Sequence, residues 1–190
     1  MAISPATVEG YGENAACWIL NKLYNVPMAI RLTGKVIIIT GASSGIGRAT
    51  ALALAREGAV LILVARREAL LEEVRREVEA AGGKADCLAL DLTRRDEVSR
   101  MIGETHLKFG RIDVLINNAG FGFFGTIEAT PASVVDEIFA LNFKEPLFAI
   151  QYVTPIMRGQ GSGHIVNISS VIGRVMTPYF RERSGAKTPK

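Results

Sequence analysis

The feature that most constrains this sequence is the alternation of short apolar runs with longer amphipathic segments. The runs are "KVIIIT" (residues 35–40), "AVLILVA" (59–65), "ADCLALDL" (85–92), "IDVLINNAG" (112–120) and "GHIVNISS" (163–170). Short runs that are apolar on both faces are typical of strands buried in a parallel sheet, and the segments between them have helical periodicity. This alternation predicts an α/β fold, a doubly wound parallel sheet with helices on both faces.

The chain is expected to divide into three segments. Residues 1–33 precede the first apolar run and form an N-terminal extension, residues 34–178 form the α/β domain, and residues 179–190 are a divergent basic tail. The net charge is +3, and five basic residues and one acidic residue fall at or after Arg174, so the rest of the chain is close to neutral. A near-neutral body argues against binding to nucleic acid.

Cysteine content and hydropathy limit the environment of the protein. Cys17 and Cys87 are the only cysteines. Two thiols form neither a disulfide framework nor a zinc site, so we expect a reducing, cytoplasmic compartment and no metal. The longest apolar stretch of the N-terminal extension, residues 15–20, is far shorter than the roughly 20 residues needed to cross a bilayer, so no membrane span is predicted.

A glycine-rich loop, "TGASSGIG" (residues 40–47), lies between the first predicted strand and the first predicted helix. Gly41 permits a tight turn, Gly45 lets the backbone approach a pyrophosphate, and Gly47 lets the helix pack closely on the strand. The loop also contains Ser43, Ser44 and Ile46. The helix that follows offers unpaired N–H groups and a positive dipole end to phosphate, which indicates a dinucleotide-binding Rossmann fold.

The end of the second strand predicts which dinucleotide binds. An acidic residue there would accept hydrogen bonds from the ribose hydroxyls of NAD, but this strand ends in Ala65, Arg66 and Arg67. A guanidinium can instead bind a 2′-phosphate through two hydrogen bonds. Arg48, just after the last glycine of the loop, is expected to add positive potential. The sequence therefore favours NADP(H) over NAD(H), although two solvated arginines at a helix start would also explain the pattern.

Taken together, the motifs resemble the short-chain dehydrogenase/reductase family over about residues 32–178. They are "TGASSGIG", "LDL" (90–92), "NNAG" (117–120), "LNF" (141–143) and "IVNISS" (165–170). The resemblance implies that Asp91 and Leu92 contact the adenine. It also implies that four residues at the end of the fourth strand support the sheet and the cofactor: Asn117, Asn118, Ala119 and Gly120. It further implies that Ser170 is the catalytic serine and that Asn142 holds a water molecule of a proton relay.

The family resemblance also implies a reaction. A hydride passes between the nicotinamide and a carbonyl or alcohol carbon, a tyrosine exchanges the proton, and a serine polarises the substrate oxygen. A lysine four residues after the tyrosine holds the nicotinamide ribose and lowers the pKa of the tyrosine. Counted from Ser170, the lysine position is occupied by Lys187, but the tyrosine position is occupied by Arg183. Tyr179 lies eight residues before Lys187, which is the wrong spacing.

The departure at Arg183 leaves two functions open. The first is an NADP(H)-dependent oxidoreductase for a small carbonyl or alcohol, whole or as a fragment, with weak or no turnover by this chain alone. The second is a non-catalytic dinucleotide-binding protein that pairs with another subunit. The tail reads as a departure from an intact ancestor by frameshift or premature termination, and it is expected to leave the fifth strand as an exposed sheet edge with an uncovered apolar face. A homo-oligomer is possible.

Two further segments carry structural expectations. Thr130 is expected to cap a long helical stretch with Pro131 at its first position, and Pro146 is expected to kink or divide that stretch. The sequence "FGFFG" (residues 121–125) follows the fourth strand, at the end of the sheet where ligands bind. Its phenylalanines could line an apolar substrate mouth or pack beneath the long helix.

Overall fold

The computed structural model of the protein describes residues 32–123 and 125–170. The five strands are β1 (Val36–Thr40), β2 (Val60–Ala65), β3 (Lys84–Ala89), β4 (Val114–Asn117) and β5 (His164–Asn167). The main helices are α1 (Gly45–Arg56), α2 (Glu68–Ala80), α3 (Arg95–Phe109), α4 (Ala132–Phe139) and α5 (Glu145–Gly159). A short 3₁₀ helix (Ile127–Ala129) precedes α4, and a π-helical segment (Ala140–Lys144) joins α4 to α5.

The strands form one parallel sheet in the order β3-β2-β1-β4-β5. From β1 the chain proceeds outward to β2 and β3, and then returns to place β4 on the other side of β1. Strand order therefore reverses between β1 and β4. In an open parallel sheet, the crevice at such a switch point, outside the carboxyl ends of the strands, is where ligands bind. The predicted doubly wound parallel sheet is confirmed.

The core lies on both faces of β1 and β2. On one face, residues such as Ile38 and Val64 pack against α3 and α5; on the other, Ile37 and Leu63 pack against α1 and α2. All five residues of β1 are buried, as expected for an apolar strand between two neighbours and two helical layers.

Strand β5 lies at the edge of the sheet and differs sharply from β1. It pairs with β4 from Val114↔His164 to Asn117↔Asn167, and no strand within the described residues pairs with its other side. All four of its residues are exposed, and Ile165 and Val166, which point to opposite faces, are 37% and 41% exposed. Among the described residues, β5 is therefore an exposed edge of the sheet, as expected.

The long helical stretch is divided, as expected from Pro146. Proline lacks an N–H, and its ring would collide with the carbonyl group four residues earlier, here that of Asn142. A π-helical turn before Pro146 replaces regular α-helical bonding, and the Glu145 N–H donates to the Ala140 carbonyl. The expected cap at Thr130 is wrong, because its hydroxyl donates to the Thr126 carbonyl, 2.9 Å away, and α4 begins after Pro131.

Within the described residues, none of the helices is both long enough and apolar enough to cross a membrane.

Candidate functional site

The glycine-rich loop turns tightly against the end of β4. Gly41 has a φ of +66°, and a Cβ atom there would lie 2.9 Å from the Ala119 Cα. A Cβ atom on Gly47 would lie 2.4 Å from the Gly41 carbonyl oxygen and 2.6 Å from Asn118 Nδ2. Both distances are too short for a real side chain, so glycine is required where α1 approaches the strand ends.

Thr40, the last residue of β1, holds the glycine-rich loop against the end of β4, a role that the sequence did not predict. Its buried hydroxyl oxygen accepts hydrogen bonds from the backbone N–H groups of Asn118, at 3.0 Å, and Ala119, at 2.9 Å. In return, Asn118 Nδ2 donates to the Thr40 carbonyl, at 2.9 Å. The glycine-rich loop and the end of β4 are thus held as one unit. The sequence signal that could have indicated this role is the threonine itself, the first residue of "TGASSGIG".

Helix α1 points its amino-terminal end into the crevice. Ser44 is its N-cap in an extended conformation, its hydroxyl makes no capping bond, and the first turn contains no acidic residue. The first N–H groups of a helix have no partners within the helix and carry a partial positive charge. This end of α1 is therefore a suitable site for an anionic group such as a phosphate.

The two arginines after β2 lie beside the glycine-rich loop. Arg66 and Arg67 are both exposed and line the same cleft as the glycine-rich loop. Arg67 Nη2 lies 3.4 Å from Ser43 Oγ, and Arg66 has no ion-pair partner in the part of the chain that the structure describes. Arg48 contributes less than expected, because its Nη2 lies 2.7 Å from the Glu77 carboxylate, which compensates its charge.

The cleft has a volume of about 380 Å³, within the range of small-molecule sites. Its lining residues are Gly41, Ser43, Ser44, Ile46, Ala65, Arg66, Arg67, Leu90, Leu92, Asn118, Ala119, Gly120 and Leu141. The expected residues Gly45, Gly47 and Asp91 are not among them. Asp91 Oδ1 instead accepts hydrogen bonds from the Thr93 amide, at 3.1 Å, and the Thr93 hydroxyl, at 2.8 Å.

Asn142 lies in the π-helical segment and holds the chain that leaves β4. Its Oδ1 accepts from the Phe121 N–H, at 3.1 Å, and its Nδ2 donates to the Phe121 carbonyl, at 2.8 Å. A π-helical turn inside a helix is often found at functional sites. In this structure, the Asn142 side chain is engaged with the backbone, so the water-holding role suggested by the family resemblance stays a prediction. Phe123, one of the phenylalanines of the "FGFFG" segment, is 42% exposed.

Of the other predicted catalytic residues, only Ser170 lies within the described residues. Ser170 is exposed and follows β5, in the described segment that ends there. Below it, Asn117 Nδ2 donates to Asn167 Oδ1, at 2.8 Å, and ties the ends of β4 and β5 together. Lys187, Tyr179 and Arg183 lie outside the described residues.

The residues at the switch point fit a dinucleotide. A loop that has no room for side chains at Gly41 and Gly47 adjoins the open amino-terminal end of a helix, and two exposed guanidinium groups stand beside it. These features define a dinucleotide-binding domain of the α/β class.

The comparisons with known proteins place the chain more narrowly. The model of the family described as "short chain dehydrogenase" matches residues 35–188. The chain therefore belongs to the short chain dehydrogenase family. The match runs beyond residue 178, where the resemblance read from the motifs ended, and includes Arg183 and Lys187.

Two curated relatives illustrate the similarity. An uncharacterized oxidoreductase from Staphylococcus saprophyticus is 42% identical over 153 residues, which are 80% of this chain and 61% of the relative. A 3-oxoacyl-(acyl-carrier-protein) reductase from Thermotoga maritima is 40% identical over 144 residues, which are 76% of this chain and 58% of the relative. The chain thus spans about 60% of the length of these relatives.

Solved structures of related oxidoreductases also have a fold similar to that of this chain. A metagenomic short-chain oxidoreductase in complex with NADP is 40% identical, with a TM-score of 0.73, over 75% of this chain and 65% of that one. An NAD⁺-bound xylitol dehydrogenase is 32% identical, with a TM-score of 0.74, over 78% of this chain and 58% of that one. One neighbour holds NADP and the other NAD⁺, so the fold alone does not select between them.

Proposed function

We propose that this chain binds NADP(H) in the cleft at the switch point, in preference to NAD(H). The observation that carries the proposal is the pair Arg66 and Arg67, which line the cleft together with the glycine-rich loop. Ala65, which ends β2, is apolar, so no carboxylate stands at the position where one would repel a 2′-phosphate. The NADP-bound neighbour at 40% identity supports the same assignment.

Within this pair, Arg66 is the principal ligand of the 2′-phosphate. Arg67 Nη2 already lies near Ser43 Oγ, and this contact holds the arginine against the glycine-rich loop. Arg66 is exposed and has no ion-pair partner among the described residues, so its guanidinium can turn to a phosphate without breaking a contact. Charge-assisted, bidentate hydrogen bonds of this kind are among the stronger ones in proteins.

Arginine substitutions test this assignment. Arg66→Ala should weaken NADPH binding about 10- to 100-fold, equivalent to roughly 1.4–2.8 kcal/mol, while NADH binding changes less than threefold. Arg67→Ala should have a smaller effect. Arg56→Ala is the matched control, since Arg56 lies in the last turn of α1, at the end of the helix opposite the loop. Equal losses of NADPH and NADH with Arg66→Ala would refute the proposed preference.

The reaction that this family membership suggests is hydride transfer between a nicotinamide and a carbonyl or alcohol carbon of a small molecule. The cofactor supplies the hydride chemistry. In this chain, Ser170 would polarise the substrate oxygen, and Lys187 would hold the nicotinamide ribose. Asn142 would keep the loop after β4 in place through its two bonds to Phe121.

Arg183 favours a second candidate, a dinucleotide-binding protein with little turnover. A guanidinium does not release its proton near neutral pH, so Arg183 cannot replace a tyrosine as the general acid or base. Loss of that function typically costs about 10²–10⁴ in rate. We therefore propose that this chain by itself binds NADPH and turns substrate over slowly or not at all.

A gain-of-function experiment separates the two candidates. Arg183→Tyr, which places a tyrosine four residues before Lys187, should raise NADPH oxidation with a panel of small ketones and aldehydes if the remaining machinery is competent. The same gain should disappear when Ser170→Ala is added. If Arg183→Tyr binds NADPH as well as the parent chain and still shows no turnover, the binding function stands and the oxidoreductase function of this chain is rejected.

A further inference from the structure

Glu145 has a buried carboxyl group to which the proposed dinucleotide binding gives no role. Glu145 is the first residue of α5 and is only 1% exposed. Both of its carboxyl oxygens are buried, and neither has a hydrogen-bond partner among the described residues. Burial raises the pKa of Glu145 to about 8, so the group is mostly protonated and uncharged near neutral pH.

The position of Glu145 in the helix explains its burial. Glu145, Ala149, Val153 and Met157 follow at intervals of four residues and form the buried stripe of α5. The last three pack in the same core cluster as β1 and α3. Because α5 connects two parallel strands, β4 and β5, its first turn lies at the carboxyl ends of the strands, where the cleft opens.

A short stretch of backbone connects Glu145 to the cleft. We call residues 140–145 the cleft wall. Leu141 in this wall lines the cleft, and Asn142 holds the Phe121 backbone through two hydrogen bonds. The Glu145 N–H donates to the Ala140 carbonyl and closes the π-helical turn. A displacement of Glu145 therefore changes the position of both Leu141 and Asn142.

Among the described residues, no charge stabilises an ionised Glu145, and burial is the cause of its raised pKa. On α3, which packs against α5, Arg95 is engaged with Phe148 and Tyr152: its Nε donates to the Tyr152 hydroxyl at 2.8 Å. The remaining charges near that end of α3 pair with one another, in Arg94–Asp96, Arg100–Glu97 and Arg100–Glu104. Lys144 is exposed beside it, and the Asp91 carboxylate bonds to Thr93.

We propose that Glu145 is a positioning residue: its neutral carboxyl group keeps the cleft wall closed on Phe121, and its ionisation loosens that wall. A charged carboxylate in this apolar position is unfavourable unless the first turn of α5 moves and lets water reach it. Opening of the turn disturbs the Asn142–Phe121 bonds and the Leu141 side of the cleft. The inference about the wall is independent of the proposed function, and its effect on NADPH binding rests on that function.

The direction of the pH effect follows from the raised pKa. A group with a raised folded-state pKa gives its full contribution to stability below its unfolded value, near 4.5, and loses it as pH rises to about 8. Above that pH, the loss is complete, and the native state itself carries the charge. Local opening of the wall should therefore increase from neutral pH to about pH 9.

Hydrogen exchange on the full chain tests the proposal. After correction for intrinsic rates, protection of the amides of residues 121 and 140–149 should fall about tenfold between pH 7 and pH 9 in the parent chain. Glu145→Gln, which is neutral at all these values, should show no such fall. Glu137→Gln, which removes an exposed carboxyl group on α4, is the matched control and should behave like the parent chain. An unchanged pH response in Glu145→Gln would overturn the proposal.

Two further measurements keep the test decisive. NADPH affinity should fall at least fivefold over the same pH range in the parent chain but not in Glu145→Gln. If NADPH does not bind at all, the proposed function fails, while hydrogen exchange still decides the role of Glu145.

If Glu145→Gln does not fold, infrared spectroscopy of the parent chain replaces the comparison with that variant. A protonated-carboxyl band should be present at pH 7 and disappear through about pH 8. Its absence at pH 7 would overturn the proposal.

Discussion

Strands β1 and β5 have similar sequences and opposite surroundings. Both are short and rich in β-branched residues, "VIIIT" in β1 and "HIVN" in β5. Ile38 in β1 is completely buried, whereas Ile165 in β5 is 37% exposed. The difference arises from position: β1 has a strand on each side and helices on both faces, and β5 has one neighbouring strand among the described residues. Apolar composition alone does not determine how much a strand contributes to the core.

The same contrast separates the two halves of the proposed site. The glycine-rich loop follows β1, the most buried strand, and Thr40 and Asn118 fix it from below. Ser170 follows β5, the most exposed strand. We therefore expect dinucleotide binding to depend on a well-packed region, and catalysis to depend on the region that has the least packing within the described residues.

The largest effect should come from filling the space between the loop and β4. Gly47→Val should abolish measurable NADPH binding and destabilise the domain by about 3 kcal/mol or more, because the Gly41 carbonyl would lie 2.4 Å from the new Cβ. NADPH fluorescence and chemical denaturation measure the two effects. Gly103→Ala in α3 is the control, since no atom lies within 4 Å of its Cβ position, and its stability should change by less than about 1 kcal/mol. Undiminished NADPH binding by Gly47→Val would contradict the proposed geometry.

Truncation of an isoleucine in each strand tests the contrast directly. Ile38→Ala should cost about 3–4 kcal/mol of unfolding free energy, because it leaves a cavity in the core. Ile165→Ala should cost less than about 1 kcal/mol, because its side chain is already partly in water. Urea denaturation of both variants gives the comparison. Similar losses would mean that β5 is covered in solution.

Removal of the Thr40 hydroxyl should have a smaller effect. Thr40→Val keeps the shape and leaves the N–H groups of Asn118 and Ala119 without their acceptor, at a cost of about 2–3 kcal/mol. NADPH affinity should fall as well, since the loop is no longer tied to β4. Thr154→Val in α5, which removes only a side-chain bond to the Ile150 carbonyl, should cost less than about 1 kcal/mol. Equal costs for the two variants would contradict the role assigned to Thr40.

The smallest effect is expected at the opposite end of the sheet, at Asp113. Burial alone would raise the pKa of this carboxyl group, but hydrogen bonds from Arg111, the Val36 amide and Lys35 outweigh it and lower the pKa below its ordinary value. Asp113→Asn should cost only about 1–2 kcal/mol at pH 7, because solvent screens the partly exposed Lys35 and Arg111 side chains.

The lowered pKa of Asp113 determines how the destabilisation caused by Asp113→Asn changes with pH. A lowered folded-state pKa gives stability that is present above the unfolded value, about 3.9, and lost as pH falls below it. The difference between the parent chain and Asp113→Asn should therefore shrink below about pH 4. Asp96→Asn, at an exposed ion pair with Arg94, is the control and should leave the unfolding free energy nearly unchanged at all of these pH values, because solvent screens that pair. A difference for Asp113→Asn that does not vary with pH would contradict this assignment.

The sequence predicted those features that depend on local patterns. The β-branched runs indicated the strands, and the placement of Gly41 and Gly47 between a strand and a helix indicated the loop. Pro146 indicated the division of the long helix, because the chemistry of proline is local. These predictions needed no knowledge of which residues meet in space.

Contacts between distant segments could not be read in this way. Arg48 pairs with Glu77, 29 residues away, and the Thr40 hydroxyl bonds to residues 78 and 79 positions further on. Nothing in the local pattern showed that Glu145, flanked by Lys144 and Pro146, lies on the buried stripe of α5. The Asp91 carboxylate bonds to Thr93, so a residue assigned by family resemblance has a structural partner in this fold.

The central claim, that the loop after β1 holds a dinucleotide phosphate, is tested most directly by NMR. On addition of NADPH to ¹⁵N-labelled protein, the backbone amides of residues 43–47 and the side chain of Arg66 should shift and saturate together. Strand β5 should be far less affected. Saturable shifts confined to β5 or to the surface of the helices, with the loop amides unchanged, would contradict the account.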